Sequence, residues 1–112
     1  ALDEILKCIA LSGQGSFLAV LKTFGDKPSP GMLSFPMPGM TLALDFPNNG
    51  VSTRMLFDQL DTLVSEAGGR LYAAKDARMS AGFFRSSYPC LDEFIPFIDP
   101  KFSSDFARRV LS

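Results

Sequence analysis

Ser52 to Ala67 is the stretch that limits this chain most. Leu56, Leu60, Leu63, Val64 and Ala67 recur at helical spacing as one apolar stripe, and Gly68-Gly69 follows at once as a left-handed stop. Ser52 stands where an N-terminal cap belongs. A helix with one apolar side has to lie on something, and Arg70-Leu71-Tyr72-Ala73-Ala74 reads as a short strand turning straight back from the glycines. That strand delivers Lys75 beside Asp76 and Arg78. The rest of the sequence must supply the layer under the helix and the surroundings of that lysine.

Upstream, Leu2, Ile5, Leu6 and Ile9 mark an amphipathic helix over Ala1 to Leu11, with Asp3 and Glu4 in its first turn and Gly13 to end it. Gly13-Gln14-Gly15 is half of a nucleotide-binding fingerprint, but it follows a helix and precedes a strand, the reverse of a phosphate-cradling turn. It reads as a cap and turn. Ser16 to Phe24 is a strand with Leu18, Val20 and Lys22 on one face and Phe17, Ala19 and Leu21 on the other. Met40 to Phe46 is a second, with Thr41, Ala43 and Asp45 opposed to Leu42, Leu44 and Phe46, and Pro47-Asn48-Asn49-Gly50 closing it. Between them, Gly25 to Gly39 is a proline-rich loop whose Met32, Leu33, Phe35 and Met37 need cover. Beyond Arg78 the pattern predicts a short helix near Met79 to Ser87, then an aromatic segment with Asp92-Glu93 as a helix-start pair. A last helix runs from Ser104 to Leu111, capped by Ser103 or Ser104.

The order is helix, strand, strand, helix, strand and a helical tail. It predicts an α+β fold, a ferredoxin-like split βαβ layer that lacks its first strand. That strand is central in such a layer, and its loss leaves backbone donors and acceptors unpaired. The expected remedies are pairing among the remaining strands or a homodimer through the exposed sheet edge.

Composition acts mainly by exclusion. With 112 residues, 46% of them hydrophobic, and eleven phenylalanines, the chain can bury one modest core. A net charge of -1 offers no field for a polyanion, so no nucleic acid is expected as a partner. No apolar run is long enough for a transmembrane segment, and acids occupy the N-terminus where a signal peptide carries basic residues, so a cytoplasmic location is expected. Cys8 and Cys90 are too few and too far apart for a metal site or redox pair, and read as buried thiols in a reducing compartment. Histidine is absent, which removes Ser/His/Asp and Cys/His catalysis and histidine-built metal sites. An enzyme of this composition relies on a cofactor or on a base outside these residues.

Leu33-Ser34-Phe35-Pro36-Met37-Pro38-Gly39, Leu44-Asp45-Phe46-Pro47, Gly69-Arg70-Leu71-Tyr72-Ala73-Ala74-Lys75-Asp76 and Tyr88-Pro89 ahead of Asp92-Glu93-Phe94 carry a family likeness. Together they resemble the C-terminal, substrate-side region of FAD-linked oxidases of the vanillyl-alcohol-oxidase type, nearest the branch acting on a lipid-phosphate ribose, with sugar-lactone oxidases as broader kin. The resemblance runs from about Leu18 to the C-terminus. It implies that residues 1–112 are a single partial domain, a C-terminal substrate or cap piece whose FAD-binding domain is its missing partner. It implies FAD as cofactor in the full-length enzyme, not bound by this piece alone, which is then inactive. It implies oxidation of a sugar or related alcohol hydroxyl, the substrate being a sugar or a lipid-phosphate sugar, by hydride transfer to flavin.

In that likeness Lys75 is the catalytic and cofactor-side lysine, supporting the charge on reduced flavin, and Tyr72 lines the same site. Leu18, Val20 and Lys22 match one substrate-binding strand, and Thr41 and Ala43 the facing one. Met40, Thr41 and Ala43 stand where the nearest relatives carry tryptophan, asparagine and cysteine. On a regular strand Tyr72 and Lys75 point to opposite faces, so sharing one site requires the alternation to break near Ala74. Without the likeness, Lys75 is a solvated lysine and Tyr72 a tyrosine at the edge of the core. Arg78 and Arg85 read as members of a solvated face. The alternative function is a freestanding ferredoxin-like module that binds a small ligand or regulates.

Overall fold

Five α-helices and a two-stranded antiparallel sheet make this an α+β protein, as the element order implies. The structure is a computed structural model that describes all residues from Ala1 to Ser112. In chain order the elements are α1 (Leu2–Ser12), β1 (Leu18–Phe24), β2 (Gly39–Asp45), α2 (Val51–Glu66), α3 (Ala81–Ser87), α4 (Leu91–Phe94) and α5 (Asp105–Val110), with 3₁₀ turns at Ala73–Lys75 and Ile95–Phe97. No helix is long and apolar enough to cross a membrane.

The glycine stops behave as their positions require. Gly13 ends α1 at φ 68°, the left-handed region that a side chain disfavours. Gly68 ends α2 at φ 67°. The Gly69 N–H donates to Val64 O (2.8 Å) and the Gly68 N–H to Ser65 O (2.9 Å), the paired bonds of a Schellman motif. A Cβ at Gly69 would stand 2.9 Å from Val64 Cγ1, so the tight return needs a glycine there too.

The start of α2 corrects the sequence reading. Its cap position is Gly50, at φ 66° and ψ -123°, and Ser52 already lies inside the helix, donating to Asn49 O (3.2 Å). The orphan amides are served otherwise: Asn48 Oδ1 accepts from Gly50 N (3.0 Å), and Thr53 Oγ1 accepts from Asn49 N (2.9 Å). Thr53 is buried, and its hydroxyl also reaches Gln14 Oε1 (2.9 Å). Gln14 Nε2 donates back to Ser52 O (3.2 Å). The turn after α1 is thereby fastened to the start of α2. The last helix is capped as expected, with Ser104 Oγ accepting from Ala107 N, while the helix expected near Met79 begins only at Ala81, with Ser80 as its cap accepting from Phe83 N.

The expected third strand does not form. Arg70–Ala74 leaves the glycines extended and then closes into the 3₁₀ turn, where Lys75 N donates to Tyr72 O (3.2 Å). Its Leu71 carbonyl is taken by the Tyr88 hydroxyl (2.7 Å), and its Arg70 side chain ties it to the proline-rich loop by donating to Ser34 O (2.9 Å). The split βαβ layer is thus represented only by its hairpin and helices.

The core also lies away from where the α2 stripe suggests. Its cluster is Met79, Phe84, Tyr88, Leu91 and Val110, with Leu33, Leu71, Ala73 and Phe106 packed around it. The helical tail therefore builds the core, and only Thr53 and Leu56 of α2 are buried. Helix α1, despite its apolar side, buries no residue. Most phenylalanines are not core residues either: Phe17, Phe97 and Phe102 are exposed, and only Phe84 is fully buried. Cys8 and Cys90 are half-buried free thiols rather than buried ones, with Cys8 Sγ donating to Gln59 Oε1 (3.4 Å) across the α1–α2 contact.

Tyr88 is the pivot of this core, 1% exposed, with its ring against Phe84 (4.8 Å between centroids) and under the Arg70 guanidinium (5.4 Å). Burial raises its phenol above the ordinary value, with the Arg70 charge working against the rise. The folded state thus holds the proton after the unfolded chain has released it. Stability from this group is complete below about pH 10 and falls as pH climbs past that value. Tyr88→Phe is expected to cost about 1–2 kcal/mol at neutral pH, because Leu71 O loses its donor, and to flatten the alkaline decline. Urea unfolding at neutral and alkaline pH measures both, and a variant with the same alkaline slope as the parent would refute the assignment.

Candidate functional site

The hairpin register decides which residues can act together. Leu18 pairs with Asp45, Val20 with Ala43, Lys22 with Thr41 and Phe24 with Gly39. Directly opposed residues project to the same face. All five residues assigned to substrate binding, Leu18, Val20, Lys22, Thr41 and Ala43, therefore share one face of the sheet. Leu18, Lys22 and Ala43 are exposed there, and Val20 and Thr41 half-buried. Leu42 and Leu44 lie on the opposite face and are half-buried, while Leu21 and Met40 on that face are exposed.

Tyr72 and Lys75 lie at a 3₁₀ turn rather than on a strand. Tyr72 is the extended residue that precedes the turn and Lys75 is the last residue within it, so the two stand at either end of one turn whose closing bond runs from Lys75 N to Tyr72 O. The break in alternation near Ala74 that a shared site demands is present. Tyr72 is 51% exposed. Lys75 is exposed as well, and its ammonium takes part in none of the protein's ion pairs.

An aromatic run joins this turn to the sheet face. Phe35 packs edge-on against Tyr72 (5.2 Å between centroids) and against Phe24 (6.2 Å), the last residue of β1 on the Lys22 face. Phe35 is held from both sides. Arg70 Nη1 grips Ser34 O beside it, and the loop folds on itself as Ser34 N donates to Gly31 O (3.1 Å) and Ser34 Oγ accepts from Gly31 N (3.1 Å). The loop thereby covers part of its apolar content. What remains is a shallow apolar depression among Pro30, Met32, Leu33, Phe94 and Phe97, open to solvent.

The residues around Lys75 that fix the turn were not assigned roles from sequence. Asp76, whose side chain is 8% exposed, accepts from Arg78 N (3.0 Å), Met79 N (2.9 Å) and Arg109 Nη2 (2.6 Å). Arg109 Nε also donates to Met79 O (3.1 Å). Arg78, expected on a solvated face, is instead tied to α2 through Asp61 (3.0 Å) and Asp58 (2.5 Å), with its guanidinium over the Phe57 ring (5.2 Å). Burial raises the Asp61 carboxyl above the ordinary range, and the Arg78 charge opposes the rise. Arg85 does lie exposed, pairing with Asp92 (2.5 Å). The pairings of Asp76 and Arg78 span long stretches of chain, and the one local sign of them was the run Lys75-Asp76-Ala77-Arg78 itself.

The site is chemically simple. It offers two cations without ion-pair partners, Lys22 on the sheet and Lys75 on the turn, with a half-exposed phenol, a threonine hydroxyl and an aromatic run between them. It is a wall rather than an enclosed cavity.

No family model matches the chain. The chain is 43% identical, over 112 residues and 96% of its length, to decaprenylphosphoryl-beta-D-ribose oxidase of Mycolicibacterium smegmatis (strain ATCC 700084 / mc(2)155). It is 38% identical over 114 residues, 97% of its length, to a Streptomyces coelicolor protein described as "Uncharacterized protein in mprA 5'region". It spans 24% of the length of the first relative and 31% of the second. The likeness read from its motifs thus extends over nearly the whole chain, which is homologous to a stretch amounting to about a quarter of a decaprenylphosphoryl-β-D-ribose oxidase.

Proposed function

We propose that this chain forms one wall of the catalytic site of an FAD-linked oxidoreductase, acting on a hydroxyl-bearing carbon of a sugar or lipid-phosphate sugar. The observation that carries the reading is the similarity to an oxidase over 96% of the chain, joined to the placement of Tyr72 and Lys75 on one turn. When bound, the flavin supplies the hydride-accepting chemistry, and the protein supplies position and charge.

The residues fit one side of such a group. The edge of a flavin that gains negative charge needs a cation not already neutralised, and Lys75 faces no carboxylate of this chain. Tyr72 offers a half-exposed ring at the start of the same turn, and Phe35 packs against that ring. Lys22 places a second positive charge on the sheet face, suited to a phosphate on the substrate, and Thr41 opposite it offers a hydroxyl to a sugar. Leu18, Val20 and Ala43 give the same face its apolar ground. The remaining walls belong to a flavin-binding domain, the partner that this reading requires.

The test uses the intact natural protein. It is expected to carry flavin, and the visible flavin band is expected to bleach when decaprenylphosphoryl-β-D-ribose is added without oxygen. A protein that neither carries nor takes up flavin, or a band unchanged by that sugar lipid and by simpler sugar alcohols, would sink the proposal.

A further inference from the structure

Lys75 stands at the end of a single 3₁₀ turn on the surface, and one short turn does not hold its own direction. Its hydrogen bonds show what does. The Asp76 N–H closes the turn on Ala73 O (3.3 Å), while the Asp76 carboxylate is committed inward, to the amides of Arg78 and Met79 and to Arg109. Arg109 in turn uses two of its donors here, Nη2 on Asp76 and Nε on Met79 O, so its guanidinium clasps both ends of the segment that follows Lys75. The guanidinium also lies over the Phe106 ring (5.7 Å), which packs on Phe84 of the core (5.4 Å). Arg109 is therefore itself anchored. It sits on α5, near the end of the chain, and nothing else on that helix reaches the turn by a side-chain hydrogen bond or ion pair.

We infer that Arg109 is a positioning residue for Lys75, acting through the Asp76 carboxylate to fix the direction in which the lysine leaves the turn. The inference rests on the proposed role of Lys75 for its effect on the reaction, but not for its effect on geometry. Neutralising Arg109 leaves Asp76 with its two amide donors and no cation, and a largely buried carboxylate in that condition draws in water or swings outward. Either response moves the peptide that joins Asp76 to Lys75. A displacement of about 1 Å at a charge that must meet a reacting group is enough to change a rate by one to two orders of magnitude.

Two measurements on the intact, flavin-loaded protein separate the possibilities. The first is a double-mutant cycle on the rate of flavin reduction. Arg109→Gln is expected to slow reduction about tenfold, Arg109→Lys to recover part of the loss, and Arg109→Gln added to Lys75→Met to cost nothing more than Lys75→Met alone. Equal slowing by Arg109→Gln in the presence and absence of Lys75 would overturn the inference, since a merely structural residue acts in both backgrounds. The second needs no turnover. In protein whose lysines carry ¹³C-methyl groups, the resonance of Lys75 is expected to shift in Arg109→Gln and to return toward its position in Arg109→Lys, while those of Lys7, Lys22, Lys27 and Lys101 stay. An unmoved Lys75 resonance overturns the positioning role outright. If the resonance moves while Lys75→Met leaves reduction unchanged, the positioning stands and the role given to Lys75 falls.

Discussion

Lys75→Ala in the intact, flavin-loaded protein is expected to slow flavin reduction by about 10²–10³-fold while leaving bound flavin nearly unchanged. The size follows from what the residue contributes. An ammonium with no ion-pair partner in its own chain gives up no salt bridge when it turns toward negative charge arising on a bound group, and once a partner domain covers this open wall such a charge is worth several-fold more than at a surface. Retention should survive because a single charge at the edge is a small part of what holds a cofactor of this size. Anaerobic stopped-flow reduction, with flavin content measured on the same preparation, separates the two quantities. Lys75→Arg, which keeps the charge but not the shape, should fall between the parent and the alanine variant. Reduction at the parental rate in Lys75→Ala would refute the role, and loss of flavin with the rate per bound flavin intact would make Lys75 a holding residue instead.

The same turn shows what sequence could and could not disclose. Several helix ends were legible because the decisive chemistry is local: Gly13 and Gly68 adopt positive φ, and Ser104 caps the amide three residues on. The two strands were legible because their alternation is local too, whereas their pairing across the proline-rich loop, which sets Lys22 opposite Thr41, is a matter of register that alternation alone does not give. Arg70–Ala74 has the residue types of a strand, yet its conformation depends on groups far along the chain. A strand needs a neighbour, whereas here the Tyr88 hydroxyl takes the Leu71 carbonyl. Local propensity cannot report such competition. The cap of α2 was misplaced for a smaller reason, since Asn48 and Gly50 together make a turn that starts the helix ahead of Ser52. Asp76 and Arg109 were invisible as a pair because nothing in the sequence between them links the two. Of the candidate site, then, the family likeness supplied the sheet residues and the lysine as expectations, and neither the aromatic run through Phe35 nor the clasp that fixes the turn was within reach of local pattern.

Phe84→Ala should be the most destabilising truncation of an apolar side chain in this chain, at about 3–5 kcal/mol. Phe84 is 2% exposed and touches both Tyr88 and Phe106, in a cluster of only 5 fully buried residues. A cavity there has few neighbours able to relax into it, and small domains hold only about 5–15 kcal/mol in all. Leu6→Ala is the control. Leu6 belongs to the apolar side of α1 but is 49% exposed, and its truncation should shift stability by no more than about 0.5 kcal/mol. Urea midpoints of the two variants test whether stability resides in the helical tail. Similar losses in both would mean that the α1 face is covered in solution, and a small loss at Phe84 would remove the tail as the core. Leu71 and Ala73, which lead into the Lys75 turn, pack on the Phe84 cluster, so its loosening should reach the site. Amide exchange across Leu71–Asp76 is therefore expected to accelerate in Phe84→Ala and not in Leu6→Ala, because only the first removes the surface against which the turn is built.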